Sequence, residues 1–175
     1  KSWLTSKSID TTEWGCGVTK SVENLWSEII AGETELQDEP PLRLVRIVQV
    51  LVYQRDKTLV EVGQEFGEGQ QRYRGFPPSE KVKPQESPQE AALRCLQEEL
   101  QVEPNQAELV SVLEPEQIYQ ESPSYPGLAT CYLTYGVEVK VMGLPEGEFW
   151  TNESPHADGD PVTNHHWGWV AKEKL

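Results

Sequence analysis

The chain has 175 residues, enough for one ordinary domain with a small extension. Residues from the AVILMFWYC set make up 37%, and 13 glycines bring the apolar share close to the globular norm, so a wholly disordered chain is excluded. Fifteen Lys and Arg stand against 29 Asp and Glu, for a net charge of −14. Up to Gly75 the balance is −3, from 9 basic and 12 acidic residues; beyond it the balance is −11, from 6 and 17. A surface this acidic repels phosphate backbones, which disfavours general nucleic-acid binding and anionic membranes. Divalent cations would have to bridge any phosphorylated substrate.

The three cysteines, Cys16, Cys95 and Cys131, are odd in number, far apart and without paired metal spacing. They argue against a disulfide framework and for a reducing compartment. The most apolar run, Leu42 to Tyr53, is too short to span a bilayer and is interrupted by Arg43, Arg46 and Gln49. The sequence starts at Lys1 without a methionine, which fits either a trimmed fragment or a chain whose targeting segment has been removed. The expected location is intracellular, with an organelle (plastid or mitochondrion) preferred to the cytosol.

In chain order, residues 1–41 read as an N-terminal extension and 42–175 as the main domain. Lys1 to Val18 is rich in Ser, Thr and Trp with little periodicity. Ser21 then caps a helix carrying Val22, Leu25, Trp26, Ile29 and Ile30 at three-and-four spacing. That stripe is too apolar to stay in water, so the following domain or a protein partner has to cover it. Gly32 stops the helix, and Pro40-Pro41 reads as a stiff linker. Leu44–Tyr53 is nearly continuous and β-branched, as a strand buried on both faces should be. Gln54 to Lys57 makes a polar turn into a second strand, Thr58–Phe66, followed by a flexible loop over Gly67–Gln71. Arg74–Pro78 is a short extended piece. Ala107–Leu113, Thr130–Val141 and His166–Val170 complete the strands. Strands around one strong central helix predict an α/β domain with a mixed sheet.

The central helix opens at Ser87-Pro88-Gln89-Glu90 with an N-cap, a first-turn proline and a capping box. Leu93, Leu96 and Leu100 share one face and are expected to bury. Ala91, Ala92, Cys95, Glu98 and Glu99 occupy the other side, and Arg94 can pair with Glu98 four residues on.

The stretch from Pro78 to Arg94, followed by Glu98-Glu99, resembles the Nudix box. That motif runs Gly, five residues, Glu, seven residues, Arg-Glu, an aliphatic, any residue, Glu-Glu, any residue, Gly, an aliphatic. Glu86, Arg94, Leu96, Glu98, Glu99 and Val102 fall on register. The resemblance covers residues 42–175 and implies a Nudix-type α/β/α sandwich with a mixed sheet and the N-terminal helical extension. It also implies Mg²⁺ or Mn²⁺ held by helix carboxylates, since hard cations want several converging oxygens. On that pattern the catalytic set is Arg94, Glu98 and Glu99, with Glu98 and Glu99 as metal ligands and Arg94 orienting the neighbouring acids. Glu86 supports the loop.

The departures fall at important positions. The central glutamate is replaced by Cys95, a soft and largely neutral thiol near pH 7. The first box glycine is Glu80 with Ser79 beside it, and the last is Gln101, where a side chain makes a positive φ costly. Glu121, Glu148 and Glu153 are downstream acids able to replace a lost ligand, with no unique alignment. The resulting expectation is a degenerate Nudix domain acting as a binding or scaffold subunit, with weak or no metal binding and weak or no hydrolase activity. It has protein partners through the extension and a nucleotide as its candidate ligand. The alternative is a divergent Mg²⁺-dependent pyrophosphohydrolase of a nucleoside diphosphate linked to another group.

Outside the box, His165 and His166 are adjacent in a strand and point to opposite faces, which disfavours zinc. His156, Asp158 and Asp160 lie in a Gly/Pro loop open to calcium but without a recognised motif. Tyr119, Tyr125 and Trp150 are candidates for stacking on a base. Redox chemistry at Cys95 is disfavoured because acidic neighbours suppress the thiolate.

Overall fold

Serines at two positions start the two longer helices, and both caps are made as the sequence predicts. A computed structural model describes residues 2–17, 19–66, 69, 71–152 and 162–172. Among these, α1 is Ser2–Ser6, α2 Val22–Ile30 and α3 Pro88–Leu100. The strands are β1 Thr34–Gln37, β2 Leu42–Gln54, β3 Lys57–Phe66, β4 Gln71–Phe76, β5 Ser79–Lys81, β6 Ala107–Val112, β7 Glu116–Ser122, β8 Tyr125–Val141, β9 Phe149–Asn152 and β10 Val162–Ala171. The α/β class holds, as a mixed sheet with a few helices. No described helix is long and apolar enough to cross a membrane. The chain divides into two compact units, one of residues 1–47, 81–86 and 115–134, the other of 48–80, 87–114 and 135–175.

In the first unit the extension is ordered by burial. Leu4 of α1, Trp14 and Leu25 of α2 form a core with Tyr125 and Leu128. The Trp14 indole N–H donates to the Pro126 carbonyl at 2.9 Å, so the large ring buries without losing its polar partner. The weak periodicity before Val18 hid the short helix α1, because one turn is too brief to show a repeat.

Two further expectations are corrected here. Pro40-Pro41 is no linker but lies in the turn of a β-hairpin in which Thr34↔Val45 and Gln37↔Leu42 are paired. On α2, Leu25 is buried at 2% exposure, whereas Trp26 and Ile30 are 61% and 69% exposed. The inward face holds Val22, Leu25 and Ile29, together with Glu28, a carboxylate that the hydrophobic pattern gave no reason to bury.

Glu28 is satisfied by three cations: Lys81 Nζ at 2.7 Å, Arg43 Nη2 at 2.8 Å and Lys20 Nζ at 3.2 Å. Burial alone would raise its pKa. Lys81, Arg43 and Lys20 outweigh that and hold it down to about 2. The helix ends at Gly32, whose φ of +70° suits glycine, and a Cβ there would meet Pro84 Cγ at 2.4 Å.

In the second unit β3 is the central strand. It pairs antiparallel with β10 and with β4, and β10 carries β9 on its other side. Residues 137–141 of β8 pair with β6. Val48, Val50, Val52, Leu59, Val60, Leu96, Val137, Val139 and Trp167 are buried. Helix α3 packs on β6 and β9. Its inward side corrects the expectation for the leucines: Leu96 and Leu100 bury, but Leu93 is only half-buried, while Ala91, Ala92 and Cys95 are fully covered. Residues 92, 95, 96 and 99 follow i, i+3, i+4, i+7 spacing, and the small side chains at 92 and 95 let the helix approach closely.

Candidate functional site

The start of α3 is fixed by reciprocal bonds. The Glu90 N–H donates to Ser87 Oγ at 3.2 Å, and the Ser87 N–H donates to Glu90 Oε2 at 2.8 Å. Just before it, Glu86 closes its own turn, accepting from the Lys83 N–H at 2.8 Å. The helix ends with Gln101 in the left-handed region, at φ 57° and ψ 30°. The Gln101 and Val102 N–H groups both donate to the Leu96 carbonyl, the second at 3.1 Å. Thr151 of β9 ties down this last turn. Its hydroxyl donates to the Glu99 carbonyl at 2.5 Å and accepts from the Trp167 indole at 2.8 Å.

Arg94 is the hub of the helix acids. Its Nη1 donates to Glu98 Oε2 at 3.1 Å, the i, i+4 pair expected from spacing, and lies 3.8 Å from Glu80 Oε2 on β5. Cys95 is 0% exposed. Burial, then Glu99, Glu80 and Glu98, push its thiol well above the ordinary range against the opposing pull of Arg94, so it is neutral at physiological pH. The half-buried Glu99 has its carboxyl pushed well up by burial and by Glu61 and Glu80, against His165 and Arg74.

Glu61, Arg74 and His165 complete this surrounding from outside the box pattern, and Glu80, a departure from a box glycine, stands in it as an acid. Glu61 is buried on β3, with Oε1 2.5 Å from His165 Nδ1 and Oε2 3.1 Å from Arg74 Nε. A signal existed: Glu61 shares a strand face with the buried Leu59, two residues away, and a carboxylate on such a face needs partners.

The adjacent histidines do part company. His165 faces Glu61, while His166 Nε2 lies 3.0 Å from Glu148 Oε2, its ring stacked on Trp150 at 4.4 Å. Of the downstream acids, Glu121 is exposed on β7, Glu148 is taken by His166, and Glu153 lies outside the described residues. His156, Asp158 and Asp160 also lie outside them. Tyr119 and Trp150 are exposed, but Tyr125 is corrected as a stacking candidate. It is buried against Trp14, with the Arg43 guanidinium 5.0 Å over its ring. A cavity of about 270 Å³ in the first unit is lined by Glu33, Thr34, Arg46, Gln117, Cys131 and Leu133 among others, and by none of the box residues.

The donor set fits Mg²⁺ or Mn²⁺ poorly. Its central member is a buried neutral thiol, Glu98 is engaged by Arg94, and Glu61 by Arg74 and His165. Among the described residues, no group of three or more His, Cys, Asp or Glu is arranged to hold a metal ion.

A family model of the NUDIX domain matches residues 43–175. Among solved structures, a Nudix hydrolase from Nitrosomonas europaea is similar at 17% identity and TM-score 0.42, over 74% of this chain and 73% of that one. The Ap4A hydrolase of C. elegans is similar at 18% identity and TM-score 0.38, over 75% and 83%. The E. coli ORF135 protein is similar at 19% identity and TM-score 0.38, over 75% and 76%. A comparison with curated proteins gives no match. With the box residues on register and the family model spanning most of its length, the chain belongs to the Nudix family.

Proposed function

We propose that this Nudix domain is degenerate at its box and serves as a binding or scaffold subunit, with weak or no hydrolase activity and weak or no binding of Mg²⁺ or Mn²⁺. The observation that carries the reading is Cys95: a fully buried, neutral thiol occupies the position of the central glutamate, and Glu98 beside it is already paired with Arg94. Hard-cation catalysis at a diphosphate needs ionised oxygens that converge and are free to move onto the ion. A protein partner docks through the extension, a reading supported by the exposed Trp26 and Ile30 on α2, and a nucleotide remains the candidate small ligand. An organelle is the proposed compartment.

The second reading, a divergent Mg²⁺-dependent pyrophosphohydrolase of a nucleoside diphosphate linked to another group, is supported by Glu86, Arg94, Glu98 and Glu99, all on register. A panel of such nucleotides, assayed with Mg²⁺ or Mn²⁺ and a coupled phosphatase, separates the two. The degenerate reading expects phosphate release no faster than without protein. Turnover that is saturable in metal and lost in Glu98→Gln or Glu99→Gln supports the hydrolase.

A further inference from the structure

Two departures from the box pattern meet at one guanidinium. Position 95 has lost a carboxylate and position 80 has gained one, and the two flank Arg94 from different elements. Glu80 reaches from β5 to within 3.8 Å of Arg94 Nη1, the same atom that holds Glu98 at 3.1 Å. Cys95 lies beside Arg94 in α3, fully buried, and Glu80 is among the acids that bear on its thiol. A glutamate at 95 would place a further carboxylate in that covered spot, against Glu80, Glu98 and Glu99, with Arg94 already shared. A glycine at 80 would remove one acid and relieve that crowding. Glu98 from the helix and Glu80 from the strand thus share one guanidinium.

We propose that Glu80 is a relocated box carboxylate, a positioning residue that braces Arg94 and through it Glu98, and that this brace is compatible only with a small uncharged residue at position 95. The proposal deepens the degenerate-box reading and rests on it: side chains hold the box in shape, and a bound cation is not needed to do so. The brace joins Glu80 to α3, both in the second unit, which fits a structural use of the box.

The test is a cycle of parent, Glu80→Gly, Cys95→Glu and the double variant, each measured by urea unfolding and by Mn²⁺ titration with the free-ion EPR signal. Both single variants are expected to unfold at lower urea than the parent. The double variant is expected to recover most of the loss of Cys95→Glu and to bind Mn²⁺ at least about tenfold more tightly than the parent. Additive losses with Mn²⁺ binding unchanged in the double variant overturn the proposal, as does parent binding of Mn²⁺ that matches the double variant. If Cys95→Glu alone does not fold, folding of the double variant supports the brace and its failure to fold overturns it. Glu80→Gly with Cys95→Gln controls for size, and it should not acquire the ion; if it does, charge at position 95 is irrelevant and the proposal is overturned. Nucleotide turnover by the parent would defeat the degenerate-box reading without altering the outcome of the cycle, so the two failures are distinguishable.

Discussion

Replacing Glu28 by glutamine should be the most damaging single polar substitution in the extension. The parent carboxylate is buried on α2 and answers Arg43 at 2.8 Å, Lys81 at 2.7 Å and Lys20 at 3.2 Å. Lys81 keeps a second acid, Glu33, at 3.0 Å, but Arg43 is 3% exposed and would remain covered without that carboxylate. Removing one partner from a buried pair costs about 3–5 kcal/mol. The depressed pKa of the same carboxyl gives a second figure. The carboxyl titrates at about 2 in the folded protein against an ordinary 4.5. That difference is worth about 3 kcal/mol, at about 1.4 kcal/mol per pH unit. Because the folded pKa is depressed, the contribution is complete above about pH 5 and is lost as pH falls from about 4.5 towards 2. Urea unfolding followed by tryptophan fluorescence, repeated from pH 7 to pH 3, measures both effects. At pH 7, Glu28→Gln should lose about 3 kcal/mol or more, and the gap to the parent should narrow on acidification. A loss below about 1 kcal/mol at pH 7, or a gap that does not change with pH, would refute the reasoning.

Other substitutions test other parts of the account. Gln101→Gly places glycine where φ is 57° and should stabilise the chain by about 0.5–1 kcal/mol, read as a small rise in melting temperature. Leu25→Ala should cost about 2–5 kcal/mol because Leu25 is in the core with Trp14 and Tyr125, whereas Trp26→Ser, on the exposed flank of the same helix, should stay within about 0.5 kcal/mol by the same unfolding assay. Adding ~5 mM Mg²⁺ should move the parent melting temperature by no more than about 1 °C, since a weak site contributes little by mass action. A larger, saturable rise would contradict the impaired site.

Local signals were the legible ones. Ser87, Pro88 and Glu90 announced the start of α3, and Arg94–Glu98 followed from spacing, because caps and i, i+4 pairs are decided within one or two turns. The long apolar strands β2 and β3 were equally plain. β7 was not, since its Gln, Glu and Tyr side chains are almost all exposed and carry no inward alternation. Trp26 and Ile30 stay exposed on α2, because a stripe written in residues does not say how wide the covering surface of the chain itself is. Only Leu25 and its neighbours found cover, and Glu28 found cations instead. At the box, Cys95 and Glu80 were each visible as departures, but their meeting at Arg94 depends on how β5 runs past α3, which no spacing along the chain records. The same holds for Glu61 and His165, brought together by the pairing of β3 with β10.

The central claim is that a Nudix fold here carries a box that does not perform efficient metal-dependent hydrolysis. The most direct measurement is phosphate release from a panel of nucleoside diphosphates linked to other groups, with the full chain, Mg²⁺ or Mn²⁺ and a coupled phosphatase. The account predicts rates indistinguishable from the protein-free control for every substrate and both ions. Turnover that saturates in substrate and metal, and that disappears in Glu98→Gln, would contradict it.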